Sequence, residues 1–197
     1  MIRLSLSMTQ KIVNMVASAR ITDNIDLHSV ADTLDLHFEA EQFPGMVYRV
    51  GEATHGKGAP KVCLLLFGSG RLVATGATSY EDVVTAMHHI HTDLDSHGFE
   101  VWPFKEEDIL VQNIVMTYDY GHSLHLHDLV LALPFERCEY EPEQFPGLIF
   151  RLKETSGVCL IFGSGKCVVT GTKSVEEAES AIQELTEVLD EIRGIIA

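Results

Sequence analysis

The sequence predicts an α+β fold in which one unit of strands and helices occurs twice. The first observation is an identical pentapeptide, Glu-Gln-Phe-Pro-Gly, at residues 41–45 and 143–147, each time followed by two apolar residues, an aromatic residue and an arginine. The second is that segments with strand-like and helix-like apolar spacing follow in the same order in both halves. These observations predict two fused half-domains with approximate two-fold symmetry.

A further shared signature lies downstream of each pentapeptide. Phe-Gly-Ser-Gly followed by a basic residue occupies 67–71 and 162–166, and a Thr-Gly pair follows at 75–76 and 170–171. A repeat of about 100 residues is longer than the 20–50 residues typical of solenoid repeats. The repeated unit is therefore expected to be a half-domain.

The expected halves are residues 1–104 and 105–197, and they differ by two changes of length. The second half gains three residues near 137–139, and the first half gains seven within the segment 51–60. The glycine and proline content of this first-half insertion, residues 51–60, is typical of a solvated hairpin loop.

The elements of the first half follow from apolar spacing. An apolar run broken only by Asn14 predicts the first strand, and helical spacing after it predicts a short helix with Asp23 or Asn24 as its N-cap. Ser79 is expected to cap a longer helix that ends at Gly98. The expected strands are 12–18, 46–50, 62–67 and 71–75, with a turn at 68–70.

The second half repeats this order. Asn113 interrupts its first strand as Asn14 does, and Ser174 with Glu177 has the pattern of a capping box at the start of the closing helix. The expected strands are 109–115, 148–152, 158–162 and 166–170, and the expected short helix is 124–133.

Period-two alternation assigns the residues of the first-half hairpin to two faces. One face carries Leu64, Leu66, Leu72 and Ala74. The other carries Cys63, Leu65, Phe67, Arg71, Val73 and Thr75. Both faces are mostly apolar and one of them carries the helices, so the second should meet a flat, partly apolar partner.

The charge balance, taken alone, argues against nucleic-acid binding. The chain has 14 Lys plus Arg against 29 Asp plus Glu, a formal net charge of −15, whereas proteins that bind nucleic acid are normally basic. Much of the acid falls on helix faces that should be solvated. The four cysteines lack paired spacing and are expected to be buried and reduced. No segment has the pattern of a signal peptide or a membrane span, so the protein is expected to stay inside the cell.

Three segments of the second half, with their counterparts in the first, carry a resemblance to a known family. They are residues 111–115, Val-Gln-Asn-Ile-Val, residues 140–147, Tyr-Glu-Pro-Glu-Gln-Phe-Pro-Gly, and residues 162–171 with Phe-Gly-Ser-Gly-Lys and Thr-Gly. Over nearly its whole length the chain resembles the TATA-box-binding proteins of the compact archaeal kind. The resemblance implies a curved, ten-stranded antiparallel sheet, or saddle, with four helices on its convex face and its concave face on the DNA minor groove.

The resemblance also implies which residues contact DNA. Asn14 and Asn113 would donate to the acceptors that A·T pairs present in the minor groove. Close contacts with base edges would come from Val16, Leu65, Val73, Thr75, Val115, Leu160, Val168 and Thr170. The wedges between base steps would be Phe43, Phe67, Phe145 and Phe162. The phosphate contacts would be Arg49, Arg71, Arg151, Lys166 and Lys173.

The first half departs from this pattern at two positions. Val13 stands where the second half has Gln112, and Thr78 stands where it has Lys173. The first half is therefore expected to hold phosphates less well, which would make binding asymmetric or weak.

The function implied is that of a general transcription factor without enzymatic activity or cofactor. Its partners would be A/T-rich double-stranded promoter DNA, RNA polymerase and transcription factor B, the last bound through Glu141, Glu143 and Gln144. The resemblance implies a cytoplasmic, nucleoid-associated archaeal protein with no membrane partner. A homodimer of the free protein is left open.

Two alternatives stay open at this point. The negative charge and Thr78 would also fit a diverged relative that acts mainly as a protein-interaction module or regulator with weak DNA binding. A zinc-dependent enzyme would need three or four converging ligands. Two groups of histidines could supply them, His88, His89 and His91, and His122, His125 and His127.

Overall fold

The computed structural model describes residues 10–196, with side chains as far as Gly194; the N-terminal residues considered above for a signal peptide lie outside this range. Within it are nine strands and five α-helices. The strands are β1 (Lys11–Arg20), β2 (Gly45–Val50), β3 (Val62–Phe67), β4 (Arg71–Ala77), β5 (Leu110–Asp119), β6 (Cys138–Glu139), β7 (Leu148–Arg151), β8 (Val158–Ile161) and β9 (Lys166–Thr172). The helices are α1 (Leu27–Leu34), α2 (Glu52–His55), α3 (Tyr80–Ser96), α4 (Leu126–Ala132) and α5 (Val175–Ile196).

Internal contacts divide the chain into two compact units. The first unit is Asn14–Gln112, and the second combines Asn113–Ala197 with Met1–Val13, of which residues 10–13 and 113–196 are described. The predicted α+β class with antiparallel strands in two repeats is confirmed. The domain boundary expected between residues 104 and 105 stays a prediction.

The strands of the first unit are ordered β2-β3-β4-β1, and all neighbours are antiparallel. The β3–β4 hairpin closes at Gly70, whose φ of +74° suits glycine. A Cβ at this position would lie 2.1 Å from the carbonyl oxygen of Thr22, so the turn also needs glycine for space. Helix α3 packs on β2, β3 and β4 and buries Val83, Met87 and Ile90 completely.

The second unit repeats this plan in the order β5-β9-β8-β7-β6. Its hairpin closes at Gly165 with a φ of +86°, and α5 packs on β9. Cys159 and Cys167 lie in the core of this unit, where burial raises the pKa of both thiols. Cys63 and Cys138 are only half-buried, so the expectation that all four cysteines are buried is wrong for these two.

The two strand faces are those assigned by alternation. Leu64, Leu66, Leu72 and Ala74 have no exposed surface. On the opposite face, Leu65 and Val73 are half-exposed and Arg71 is exposed. The helices thus cover one face of the strands and leave the apolar second face open to solvent. No helix in the described range has both the length and the apolar character needed to cross a membrane.

The helix caps differ from the prediction at α1 and in part at α5. Asp26, rather than Asp23 or Asn24, caps α1, because its carboxylate accepts from the His28 N–H at 3.1 Å. Ser79 caps α3 as expected and accepts from the Asp82 N–H at 3.0 Å. At α5, Ser174 accepts from Glu177 at 3.0 Å, while the Glu177 carboxylate accepts from Lys173 N–H rather than from Ser174 N–H as in a standard capping box.

Two differences in element count trace to the changes of length. Nine strands are found instead of ten, because β6 has no counterpart among the described residues of the first unit. Strand β6 lies where the second half gains residues, and it pairs with β7. A fifth helix, α2, lies in the first-half insertion, which connects the antiparallel strands β2 and β3 as the expected hairpin loop. The insertion is mostly exposed but contains one helical turn.

Candidate nucleic-acid interface

The open face of each unit carries small and medium apolar side chains. Val16, Leu65 and Val73 are half-exposed on the first unit, and Val115, Leu160 and Val168 occupy the matching positions on the second. None of them carries a charge that would hold the face away from an apolar surface. This composition suits close approach to a partner with a shallow groove.

A β-bulge in the first unit holds Asn14 in place. Met15 pairs with Ala77 and Ala17 with Ala74, so β4 contains one residue more than β1 over this interval. Gly76, with a φ of +89°, directs its N–H to Asn14 Oδ1 at 2.7 Å. The side-chain oxygen of Asn14 is thereby used within its own unit.

The second unit repeats the arrangement around Asn113. Gly171, also with a φ of +89°, donates its N–H to Asn113 Oδ1 at 2.8 Å. Thr170 Oγ1 lies 3.3 Å from the same oxygen and 3.2 Å from Nδ2. Since the carbonyl ends of both asparagines are fixed by glycine N–H groups, the Nδ2 groups are the ones that can donate to an external acceptor.

Gly76 and Gly171 are therefore positioning residues that the sequence analysis named only as part of a motif. The signal was present, because an isolated glycine inside a strand often marks a bulge. Recognising it would have predicted which atom of each asparagine is held.

The four phenylalanines form two matched pairs. The rings of Phe43 and Phe67 lie 6.0 Å apart at 64°, and those of Phe145 and Phe162 lie 5.8 Å apart at 66°. Both are edge-to-face contacts, which aromatic rings prefer. Phe43 is 40% exposed and the other three are half-buried, so each pair presents ring surface to solvent.

Glycines at the start of β2 and just before β7 make room for these pairs. A Cβ on Gly45 would lie 2.7 Å from Phe43 and 3.0 Å from Phe67. A Cβ on Gly147 would lie 2.8 Å from Phe145 and 3.1 Å from Phe162. The glycine of the repeated Phe-Pro-Gly motif thus allows the rings to pack directly on the backbone.

Three cations of the first unit, Arg49, Lys61 and Arg71, lie at or next to strand ends. Arg49 and Arg71 are exposed, and Thr78 donates both its N–H and its hydroxyl to Asp82. Lys61, which the sequence analysis did not select, lies beside the bulge, since its carbonyl oxygen is 3.5 Å from the Cβ position of Gly76. Lys61 therefore lies just before β3, at the same end of the β3–β4 pair at which Thr78 follows β4.

The second unit places its cations differently. Lys166 and Lys173 are exposed, whereas Arg151 Nη2 forms an ion pair with Glu139 Oε1 at 2.6 Å. Ser156 occupies the position next to Gly171 that Lys61 has next to Gly76. The first unit thus has a lysine at residue 61 and a threonine at residue 78, whereas the second unit has a serine and a lysine at the two matching positions.

The acidic loop expected to bind a protein partner is exposed. The backbone N–H groups of Gln144 and Phe145 both donate to the carbonyl oxygen of Glu141 at 2.9 Å, which forms a compact turn. The side chains of Glu141, Glu143 and Gln144 all point to solvent-accessible surface.

In the part of the chain that the structure describes, the two groups of histidines do not form a metal-binding arrangement. Among residues 10–194, no three His, Cys, Asp or Glu side chains lie where they could hold one ion together. His91 instead contacts the carbonyl oxygen of Trp102 at 2.7 Å, and His88 packs on Phe104.

Comparison with known proteins identifies the family. The profile of the family described as transcription factor TFIID, or TATA-binding protein, matches residues 9–97 and 108–192. The TATA-box-binding protein of Methanocaldococcus jannaschii is 45% identical over 94% of this chain and 96% of its own length. TATA-box-binding protein 2 of Haloferax volcanii is 44% identical over 91% of this chain and 92% of its own length.

A solved structure agrees with these matches. The Methanococcus jannaschii TBP structure has a TM-score of 0.79 and 43% identity to this chain, and the match covers 92% of this chain and 98% of that one. The chain belongs to the TATA-box-binding protein family.

Proposed function

We propose that this protein is a general transcription factor that binds and bends the minor groove of TATA-box promoter DNA and recruits transcription factor B and RNA polymerase. It acts in transcription and is not an enzyme. The observation that carries the proposal is the repeated constellation on the open face, in which each unit has one anchored asparagine, several small apolar side chains and a phenylalanine pair.

The anchored asparagines account for a preference for A·T pairs. The minor-groove edge of an A·T pair offers only acceptors, adenine N3 and thymine O2, whereas a G·C pair adds the guanine amino donor. Nδ2 of Asn14 and Asn113 can donate to such acceptors. We assign the surrounding contacts with base edges to Val16, Leu65, Val73, Thr75, Val115, Leu160, Val168 and Thr170.

The phenylalanine pairs account for bending. Apolar rings inserted between base steps unstack them and kink the duplex toward the major groove, and flexible TA steps lower the free-energy cost of this deformation. One pair in each repeat, residues 1–104 and 105–197, would produce one kink at each end of the site. The wedges are Phe43, Phe67, Phe145 and Phe162.

The phosphate contacts supply affinity without sequence preference. We assign them to Arg49, Arg71, Arg151, Lys166 and Lys173, and we add Lys61 from its position beside the bulge. Arg151 must exchange its carboxylate partner, Glu139, for a phosphate, which reduces its net contribution.

The protein partners are part of the same proposal. Glu141, Glu143 and Gln144 form an exposed acidic turn that can meet basic side chains of transcription factor B. RNA polymerase would join the resulting complex, in the nucleoid of an archaeal cell. Sedimentation of the free protein would test whether it forms a homodimer.

Fluorescence anisotropy and energy transfer on one end-labelled duplex would test the function. The protein should bind a TATA-containing duplex more tightly than a G·C-substituted one and should bring the duplex ends closer together. Phe145→Ala combined with Phe162→Ala should remove one of the two kinks and so reduce the change in end-to-end distance. A bend equal to that of the wild type in this double variant would show that Phe145 and Phe162 are not wedges.

The same binding measurement, repeated over a range of salt concentrations, distinguishes the proposed function from that of a protein-interaction module. Absence of binding at every salt concentration, even with transcription factor B present, would contradict the proposed function. It would favour a relative that acts through protein contacts alone.

A further inference from the structure

An open cavity of about 580 Å³ lies at the carboxyl end of β1 in the first unit. Its lining includes Arg20, Ser69, Arg71, Trp102 and Gln112. Of these, only Arg71 has a role in the interface described above. Arg20 lies on the open face, because it shares the alternation of Asn14 and Val16 along β1.

Arg20 and Arg71 are directly opposed across β1 and β4. Opposed residues have Cβ atoms only about 4.5–5.5 Å apart, and like charges in such pairs are destabilising. The matching pair in the second unit is Asp119 opposite Lys166, which is neutral in sum. The first unit thus places two of the chain's 14 Lys and Arg residues where their mutual repulsion must be offset by something else.

Arg20 is held in a fixed position. Its Nε donates to the carbonyl oxygens of Thr22 at 3.2 Å and Ser69 at 3.3 Å, and its guanidinium carbon lies 5.8 Å from the centre of the Trp102 ring. Its Nη2 lies 3.2 Å from the largely exposed carboxylate of Asp23. Asp108 also lines the cavity, so two carboxylates compete with any anion that enters.

Hydrogen-bonding capacity remains on both arginines that line the cavity. Within residues 10–194, the structure shows no protein acceptor for Arg20 Nη1 or for the guanidinium of Arg71. Two neighbouring guanidinium groups on one face can together bind a phosphate through several charge-assisted hydrogen bonds.

We propose that Arg20 and Arg71 form a phosphate-binding site for a backbone phosphodiester of the bound DNA, with Ser69 and Trp102 at its edge. The inference rests on the proposed DNA-binding function. The site gives the first repeat a positive charge that the second repeat lacks at the matching position, and it compensates in part for Thr78. An anion between the two arginines lowers their repulsion beyond the offset that Asp23 already gives to Arg20.

Salt titration of binding to a TATA-containing duplex tests the site. Each phosphate contact contributes about −0.9 to the slope of log Kobs against log salt concentration. Arg20→Ala should therefore make the slope shallower by up to about 0.9, because Arg71 remains beside the same phosphate, and should weaken binding most at low salt. Arg193→Ala on α5 removes an exposed arginine from the helical side of the second unit and should leave the slope unchanged.

Trp102 provides an independent readout because it is the only tryptophan of the chain. DNA binding should change its emission in the wild type, since a phosphate on Arg20 alters the charge above the ring. The change should largely disappear in Arg20→Ala, provided that the melting temperature shows the variant to be folded.

The possible failures are distinguishable. If the wild type binds and bends the duplex while Arg20→Ala keeps the same slope and the same Trp102 response, the phosphate site is wrong and the proposed function stands. If the wild type does not bind the duplex, both proposals are wrong. A slope change equal in Arg20→Ala and Arg193→Ala would indicate a general charge effect and would also overturn the site.

Discussion

At the scale of single residues, Gly171 determines how Asn113 presents its amide. Gly171 has a φ of +89°, and a Cβ there would lie 3.2 Å from the carbonyl oxygen of Ser156. Gly171→Ala should lower the free energy of unfolding by about 1–3 kcal/mol through backbone strain. It should also weaken DNA binding, because the N–H that holds Asn113 Oδ1 is displaced. Chemical denaturation and anisotropy measure the two effects.

Gly194→Ala is the matched control for this substitution. Gly194 lies in α5 without any atom within 4 Å of its Cβ position, so alanine should raise the free energy of unfolding by up to roughly 1 kcal/mol and leave DNA binding unchanged. Equal DNA affinity of Gly171→Ala and wild type would contradict the positioning role of the bulge.

The asparagines also show how far sequence reasoning reaches for a single side chain. A polar residue in an apolar strand, repeated in both halves, predicts a donor facing a partner, and the structure places Asn14 and Asn113 on the open faces. The atom that is held depends on a bulge in a strand about 60 residues away. Such long-range geometry is not encoded in the local pattern.

At the scale of elements, the first-half insertion is fastened to the helical side of its unit by His55. His55 Nε2 lies 2.8 Å from the hydroxyl of Tyr48, which also hydrogen-bonds Asp93, and Nδ1 lies 2.6 Å from Thr54 Oγ1. The ring of His89 lies 4.5 Å away. Burial lowers the pKa of His55, His89 lowers it further, and Asp93 acts in the opposite direction.

This depressed pKa predicts a loss of stability in mild acid. The pKa of His55 in the folded protein lies below its ordinary value of 6.5. The contribution of neutral His55 to the free energy of unfolding is therefore complete above pH 6.5, and it declines as the pH falls from 6.5 toward the folded pKa. The urea midpoint of the wild type should therefore fall more between about pH 7.5 and about pH 5.5 than that of His55→Gln. The control is His127→Gln, at an exposed position of α4, whose urea midpoint should change with pH as that of the wild type does. A His55→Gln variant with the wild-type pH dependence would refute the role of His55.

The ends of β3 and β4 provide a second prediction for an element. Lys61 and Thr78 in the first unit correspond to Ser156 and Lys173 in the second. Lys61→Ala should weaken DNA binding and make the salt slope shallower by about 0.9, whereas Thr78→Lys should strengthen binding and steepen the slope by a similar amount. A lysine should be tolerated at residue 78, because Lys173 makes the equivalent backbone hydrogen bond to Glu177.

Lys57→Ala is the control, since it removes an exposed lysine of the first-half insertion, away from the strand ends. If Lys61→Ala and Thr78→Lys both show the same salt slope as the wild type and the control, neither strand end contacts phosphate in the complex.

Elements with strong local patterns were predictable, and those made by pairing or insertion were not. Strands β3 and β4 and helix α3 have clear periodicity and cap residues, and the structure places them within a few residues of the expected ranges. Strand β6 is two residues long and exists only through its pairing with β7. Helix α2 is one turn in a glycine-rich segment, where local composition favours a loop.

At the scale of the whole molecule, the net charge of −15 opposes the approach of DNA, although the open faces suit it. Exposed acids on α5, such as Glu179, Glu187 and Glu191, lie on a helix that covers the opposite side of the second unit's strands. Their effect on DNA is therefore long-range repulsion, which salt screens over a Debye length of about 8 Å at physiological ionic strength. Salt thus has two opposed effects on this protein, since it also weakens the phosphate contacts.

This opposition predicts how the acidic helix influences the kinetics. Glu179→Gln, Glu187→Gln and Glu191→Gln combined should raise the association rate constant several-fold at about 0.05 M salt and leave the dissociation rate constant and the bend unchanged, because steering acts before contact. The advantage should vanish above about 0.3 M salt, where the charges are screened. Stopped-flow energy transfer measures both rates and the bend. A slower dissociation without faster association would mean that these acids contact the DNA directly, which their place on the helical side does not allow.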